Sequence, residues 1–131
     1  MELTAIKPGM KNEVEEMVTE GKTAAVMGSG SLPVYATPAM CCLMEKAAAE
    51  LAEKLMPEGW TTVGGSLAIQ HKAPTTVGSK VRAEAEVLEV EGRRIAYKVS
   101  AYDEAGLIGD GSHERFAVNK EKFMGKVAQR R

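Results

Sequence analysis

The chain has 131 residues, of which 44% are apolar and 27% charged, with a formal net charge of −1. This length predicts a single domain spanning residues 1–131. The near-neutral charge argues against a nucleic-acid or membrane-surface partner, and no apolar run is long enough to cross a bilayer.

The N-terminal third carries only short predicted elements before its long helix. Residues 11–20 alternate weakly between apolar and charged side chains, which predicts a first strand, although so many glutamates also suit a short helix. Residues 22–27 are expected to form a helical turn. The Gly-Ser-Gly-Ser run at 28–31 predicts a flexible joint, suited to the wall of a ligand entrance.

A long helix is predicted from Pro38 to Met56, because this stretch consists mostly of Ala, Leu, Met, Glu and Lys. Thr37 is the expected N-cap, Pro38 suits the first helical position, and Pro57 ends the helix. The first half is almost entirely apolar, so we expect it to be buried.

Glu45 is the exception in that apolar half. Helical spacing places it on one face with Cys41, Ala48 and Ala52, whose small side chains leave room beside a carboxylate. A surface glutamate is the ordinary interpretation on composition alone. A functional carboxylate is the alternative, and residues later in the chain favour it.

The two cysteines, Cys41 and Cys42, are adjacent in the predicted helix. Their side chains point about 100° apart around its axis, which argues against a mutual disulfide. We predict buried free thiols, and hence a protein of the reducing cytoplasm.

The remainder of the chain reads as antiparallel sheet. Alternating or β-branched stretches predict strands at 60–72, 80–90, 93–102 and 107–118, joined by turns and followed by a basic tail that is helical or frayed. Gly64 and Gly65 predict a bulge or a close backbone approach in the first of these strands. One long helix against an antiparallel sheet of about five strands is an α+β fold, and a sheet this long is expected to curl around the helix.

The two histidines receive different predictions. His71 shares a strand face with Leu67 and Ile69, the face that should meet the helix, where a satisfied core histidine is the ordinary interpretation. Beside it, a threonine and a glutamate would complete a hydroxyl, imidazole and carboxylate set. His113 is expected at a sheet or rim position. No cluster has the spacing of metal ligands, so no metal is predicted.

Three separated runs, at residues 34–50, 66–81 and 90–118, resemble the fluoroacetyl-CoA thioesterase group of the hot-dog superfamily. The resemblance implies a hot-dog fold, a helix wrapped by an antiparallel sheet. It also implies that Thr37, Glu45 and His71 form the active site, with a backbone donor from Gly64 or Gly65. Members of this group are dimers whose active sites lie at the subunit interface.

The function implied is hydrolysis of a short-chain acyl-CoA by an acyl-CoA thioesterase, with coenzyme A as part of the substrate and no other cofactor. Residues 26–32 lack the aromatic lid of the fluoroacetyl-specific enzyme, so the implied acyl group stays open. A non-catalytic acyl-CoA-binding module and a hot-dog hydratase or dehydratase are the alternatives. The candidate cations for the CoA phosphates are Lys72, Arg93, Arg94, Lys98 and Arg115, although a solvated surface is the stronger interpretation for each.

The spacing of the implied catalytic residues raises a geometric question. Eight residues separate Thr37 from Glu45, which is about 12 Å along a straight helix. Either Thr37 lies on a curled entry segment, or the site combines two subunits, or the substrate bridges the two groups. We predict a homodimer or a dimer of dimers, with Val63, Leu67 and the first helical turn near the interface.

Overall fold

The computed structural model describes residues 3–130. Its elements confirm the first strand, the long helix and the four strands predicted after it. In chain order they are β1 (Lys11–Met17), a 3-10 turn (Glu20–Lys22), α1 (Ala24–Met27), α2 (Thr37–Glu53), β2 (Trp60–His71), β3 (Lys80–Glu91), β4 (Arg94–Asp103), β5 (Gly106–Asn119) and α3 (Lys120–Ala128). Within this part of the chain, no helix has the length and apolarity needed to cross a membrane.

The five strands form one antiparallel sheet in the order β1-β3-β4-β5-β2. α2 packs against the sheet and contributes the largest fully buried helix side chains, Met40 and Met44, to the core. Buried and more exposed residues alternate along β4, as the sequence predicts, and the buried ones form the sheet face that packs against α2. Its buried residues on β4 are Ile95, Tyr97, Val99 and Ala101.

The start of α2 differs from the prediction. Ala36, not Thr37, is the N-cap residue, and Thr37 and Pro38 occupy the first helical turn. Because no capping hydrogen bond uses its side chain, the Thr37 hydroxyl is available for another partner. The apolar first half is also less buried than predicted. Cys42 is exposed and Cys41 half-buried, so the expectation of two buried thiols was wrong, although both are free.

The two edge strands have opposite chemistry. β1 carries four charged residues in seven, Lys11, Glu13, Glu15 and Glu16, which is how natural edge strands avoid pairing with another chain. β2 is twelve residues long and contains no Asp, Glu, Lys or Arg. An uncharged edge of this length is suited to pairing with another strand.

Gly111 marks a very close approach between β5 and β2. A Cβ atom at this position would lie 2.0 Å from the carbonyl oxygen of Ala68. We therefore expect Gly111→Ala to lower the free energy of unfolding by ~2–3 kcal/mol, because backbone must move to relieve the overlap. Urea unfolding measures this. Gly125→Ala is the control, since no atom lies within 4 Å of its ideal Cβ, and equal stability of the two variants would contradict the close approach.

Candidate active site

Thr37 and His71 form a direct pair. The Thr37 Oγ1 atom lies 2.7 Å from His71 Nδ1. Thr37 opens α2, and His71 is the last residue of β2, on the face that Leu67 and Ile69 pack against the core. The predicted meeting of this histidine with the helix is therefore confirmed.

His71 is poised as a neutral imidazole. Its pKa is lowered from the ordinary value of 6.5, mainly because burial disfavours the charged ring. A neutral ring that accepts the Thr37 proton at Nδ1 carries its own proton on Nε2. That Nε2 atom is buried and has no hydrogen-bond partner among residues 3–130. A hydroxyl–imidazole pair is thus present, and within residues 3–130 no group is hydrogen-bonded to the far side of the ring.

Glu45 lies in a second cluster. Its Oε2 atom is 3.7 Å from Arg115 Nη1, and its side chain is 43% exposed. A Cβ atom at position 64 would lie 2.8 Å from the same oxygen. Glycine at position 64 therefore leaves space beside the carboxylate that any side chain would fill.

Arg115 is held rigidly beneath that carboxylate. Its Nε donates to Thr62 Oγ1 at 2.9 Å, and its Nη2 donates to the Thr62 carbonyl oxygen at 3.1 Å. The His113 Nδ1 lies 2.7 Å from the Ser66 carbonyl oxygen, which can only accept, so Nδ1 carries the proton. His113 Nε2 is then free to accept from Arg115 Nη1, 3.3 Å away.

Two sequence-based placements are corrected by this cluster. His113 is 1% exposed and Arg115 is 8% exposed, so neither lies at a rim. Arg115 is not placed to meet a phosphate in solvent, since its guanidinium is engaged by Thr62 and His113. The signal for burial was the alternation of His113, Arg115 and Ala117 on one strand face.

The predicted bulge at Gly64 and Gly65 is confirmed. The pairing of β2 with β5 passes from Gly64↔Arg115 to Ser66↔Glu114, which leaves Gly65 without a partner residue. A Cβ atom at Gly65 would lie 2.3 Å from the ring of Phe116, so any other residue there would displace that ring. The backbone of this bulge, beside the Glu45 carboxylate, is the candidate source of an oxyanion donor.

The two clusters are far apart within one chain. Gly64 and His71 are seven residues apart on β2, roughly 20 Å in an extended strand. Thr37 lies in the regular helix, so a curled entry segment does not bring it to Glu45. In the described part of the chain, no hydrogen bond or ion pair connects Glu45 with either Thr37 or His71. A second subunit or a bridging substrate remains as the way to combine them.

A pocket of about 320 Å³ opens beside the Thr37–His71 pair. Ser29 lines it, as predicted for the 28–31 segment, and the remaining walls come from Ala24, Val34, Tyr35, Lys72, Ala73 and Pro74. The walls are mostly small side chains. The one cation, Lys72, is paired with Asp110 at 3.1 Å. The pocket suits a small, weakly polar group.

The other predicted CoA-binding cations are dispersed. Arg94 pairs with Glu114, Lys98 is exposed on β4, and the guanidinium of Arg93 lies 4.8 Å from the ring centroid of Trp60. Only Lys72 borders the pocket at His71. Within residues 3–130, no group of three or more His, Cys, Asp and Glu side chains is arranged to hold a metal ion.

Acid is expected to destabilise the fold through its histidines. Burial lowers the pKa of both His71 and His113 below 6.5. Because folding favours the neutral rings, their contribution to the free energy of unfolding is fully present above pH 6.5. It is lost as the pH falls through the folded-state pKa values. The urea concentration at the unfolding midpoint should therefore decrease when the pH is lowered from 7.5 to 5.5. His113→Gln should show a smaller fall, and an identical fall would contradict this role for the buried ring.

Comparison with known proteins identifies the family. The model of the fluoroacetyl-CoA-specific thioesterase family matches residues 18–121. The chain belongs to this family. A curated fluoroacetyl-CoA thioesterase of Streptantibioticus cattleyicolor is 39% identical over 97 residues, which cover 74% of this chain and 70% of the relative.

Solved structures agree with the family assignment. A fluoroacetyl-CoA thioesterase structure superposes with a TM-score of 0.90 at 32% identity, covering 96% of this chain and 98% of the other. A threonine-to-serine variant of it was solved in complex with acetyl-CoA. A hot-dog-like protein from Thermanaerovibrio acidaminovorans gives a TM-score of 0.89 at 24% identity, covering 97% and 94% of the two chains. The predicted hot-dog fold and thioester-hydrolase class are confirmed.

Proposed function

We propose that this protein hydrolyses a short-chain acyl-CoA to the free acid and CoA, with Thr37, Glu45 and His71 as its catalytic residues. The observation that carries the proposal is the 2.7 Å contact between Thr37 Oγ1 and the Nδ1 atom of His71. Because burial lowers the pKa of His71, the ring is neutral at pH 7 and is able to accept the hydroxyl proton. This is the arrangement of a nucleophile with its general base.

Two routes to thioester hydrolysis fit these residues. In the first, Thr37 Oγ1 attacks the thioester carbonyl while His71 takes its proton and returns it to the departing thiolate. Water then hydrolyses the threonyl ester. In the second, Glu45 activates the attacking water, or its carboxylate attacks the carbonyl carbon itself, which breaks the C–S bond, releases the CoA thiolate and leaves an anhydride that water hydrolyses. In both, backbone donors at the Gly64–Gly65 bulge stabilise the oxyanion, a contribution of ~3–4 kcal/mol for a well-placed donor.

In this proposal, a second copy of the chain brings the Thr37–His71 pair close to Glu45. If the uncharged edge of β2 pairs antiparallel with its copy about a two-fold axis at Ala68, Gly65 of the glycine bulge lies opposite His71 of the partner subunit. Each site would then combine Glu45 and the glycine bulge of one subunit with the Thr37–His71 pair of the other. The separation of roughly 20 Å within one chain is thereby removed.

The dimer is tested by substituting Ala68, whose side chain is exposed on the β2 edge. Wild-type protein should scatter light as at least a dimer at micromolar concentration. Ala68→Asp should shift it to a monomer, because two like charges would face each other near the axis. Ala105→Asp, in the exposed β4–β5 turn, should leave the mass unchanged. A monomeric wild-type protein would contradict the proposed dimer.

The acyl group proposed is short. The pocket beside Thr37 and His71 is lined mostly by small side chains, and no aromatic residue is present in residues 26–32. The curated relative is named for fluoroacetyl-CoA. We therefore expect activity on short acyl groups without a requirement for fluorine.

A panel of acyl-CoA esters of increasing chain length, followed with a thiol-reactive dye, tests the function. Release of CoA that is fastest with short chains supports the proposal. Saturable binding measured by calorimetry without CoA release would favour a non-catalytic binding module. Loss of the ultraviolet band of an enoyl-CoA without thiol release would favour a hydratase.

A further inference from the structure

A basic, aromatic-walled pocket lies between α3 and the sheet, away from the Thr37–His71 pocket. It has a volume of about 160 Å³. Trp60 and Phe123 supply aromatic surface, and Arg93, Lys122 and Lys126 supply positive charge. No acidic residue is among the side chains that line it.

Among the described residues, the three cations of this pocket have no carboxylate counter-charge. Across residues 3–130, no carboxylate oxygen lies within 4.0 Å of the charged nitrogens of Arg93, Lys122 or Lys126. The guanidinium of Arg93 is instead held over the Trp60 ring. Like charges gathered at one concave surface raise its potential and attract an anion.

The presence of both cations and aromatic rings in this pocket indicates which kind of anion it binds. Lysine and arginine bind phosphate through charge-assisted hydrogen bonds, and aromatic faces stack on nucleobases. A ligand that offers both a base and phosphates satisfies the pocket more fully than inorganic phosphate does. We propose that this pocket binds the nucleotide end of coenzyme A, which rests on the proposed acyl-CoA substrate.

The position of the pocket fits a substrate that extends along β2. Trp60 precedes Gly64 by four residues, which is about 13 Å in a strand. The pantetheine arm of CoA separates its thioester from its nucleotide over a distance of this order. The pocket at Thr37 and His71 is poorly suited to the phosphates, because its one cation, Lys72, is already paired with Asp110. A thioester at the glycine bulge and a nucleotide at Trp60 therefore fit one bound molecule.

The test compares Lys122→Ala/Lys126→Ala with Lys120→Ala. Lys120 is exposed on the same helix but does not line the pocket. For an acyl-CoA, the double variant should raise KM about tenfold or more with kcat unchanged, since it removes two charge-assisted contacts to phosphate. An N-acetylcysteamine thioester of the same acyl group lacks the nucleotide, so its turnover should be equal in all three proteins. An unchanged KM for acyl-CoA in the double variant would overturn the proposal.

Calorimetry with adenosine 3′,5′-bisphosphate separates this proposal from the proposed activity. Wild-type and Lys120→Ala proteins should bind the nucleotide, and the double variant should lose that binding. This result would support the pocket even if no thioester were hydrolysed. Absence of nucleotide binding by wild-type protein, or equal binding by all three, would overturn it even if hydrolysis were observed.

Discussion

Replacing His71 with alanine is expected to lower kcat by ~10²-fold or more, the usual scale for losing a general base. The Thr37 hydroxyl would lose the acceptor that lies 2.7 Å from it. A modest fall in melting temperature should accompany this, because the half-buried ring leaves a cavity. Dye-coupled release of CoA and thermal unfolding, recorded on the same preparations, separate the two effects. A kcat within twofold of wild type would show that the imidazole is structural.

Variants of Thr37 provide the matched control for His71. Thr37→Ser keeps a hydroxyl and should retain most activity, whereas Thr37→Val keeps the shape and should lose about as much as His71→Ala. Neither removes a helix cap, because Ala36 is the N-cap residue. The wild-type rate should also fall as the pH drops through the lowered pKa of His71, since protonation removes the base.

Glu45→Gln is expected to preserve the fold and lower kcat by ~10²-fold or more. The amide has the shape of the carboxylate and fits the gap beside Gly64, but it provides neither a base nor a nucleophile. Glu50→Gln is the control, since Glu50 lies on the same helix and pairs only with Lys46, at 3.9 Å. That exposed substitution should be near neutral.

The outcome for Glu45 discriminates sharply between function and structure. An exposed carboxylate with no catalytic role should change the rate by less than about twofold when it becomes an amide. An acyl-enzyme at Thr37, detected by mass spectrometry in Glu45→Gln after rapid quenching, would assign attack to the threonine. A Glu45→Gln protein with wild-type kcat would contradict the carboxylate's place in the site.

Much of the fold was predictable because its signals are local and periodic. The alternation of β4 gave its buried face, and Gly64 and Gly65 gave the bulge, since any other residue at Gly65 would displace the Phe116 ring. Strand periodicity also placed His71 on the face that meets the helix. Its contact with Thr37 follows from that alternation and from where α2 begins.

The remaining errors arose where tertiary contacts override local patterns. The apolar start of α2 predicted burial, but Cys42 faces outward where the sheet does not cover the helix. Arg115 looked like a surface cation because charge normally favours water. Its burial depends on Thr62, which lies across the strand pair on β2, and on His113, two residues away on the same strand, because these two residues satisfy its donors. The alternation along β5 indicates that Arg115 is buried, but no local pattern identifies Thr62 as its hydrogen-bond partner.

Subunit complementation tests most directly whether each site combines Glu45 of one subunit with the Thr37–His71 pair of the other. Glu45→Gln and His71→Ala chains, carrying different tags, would be co-expressed and the heterodimer isolated. One of its two sites would then be fully wild type, so we predict about half of the wild-type kcat per dimer. A Thr37→Val/His71→Ala heterodimer, altered in both sites, should stay inactive. An inactive Glu45→Gln/His71→Ala heterodimer would contradict the shared site.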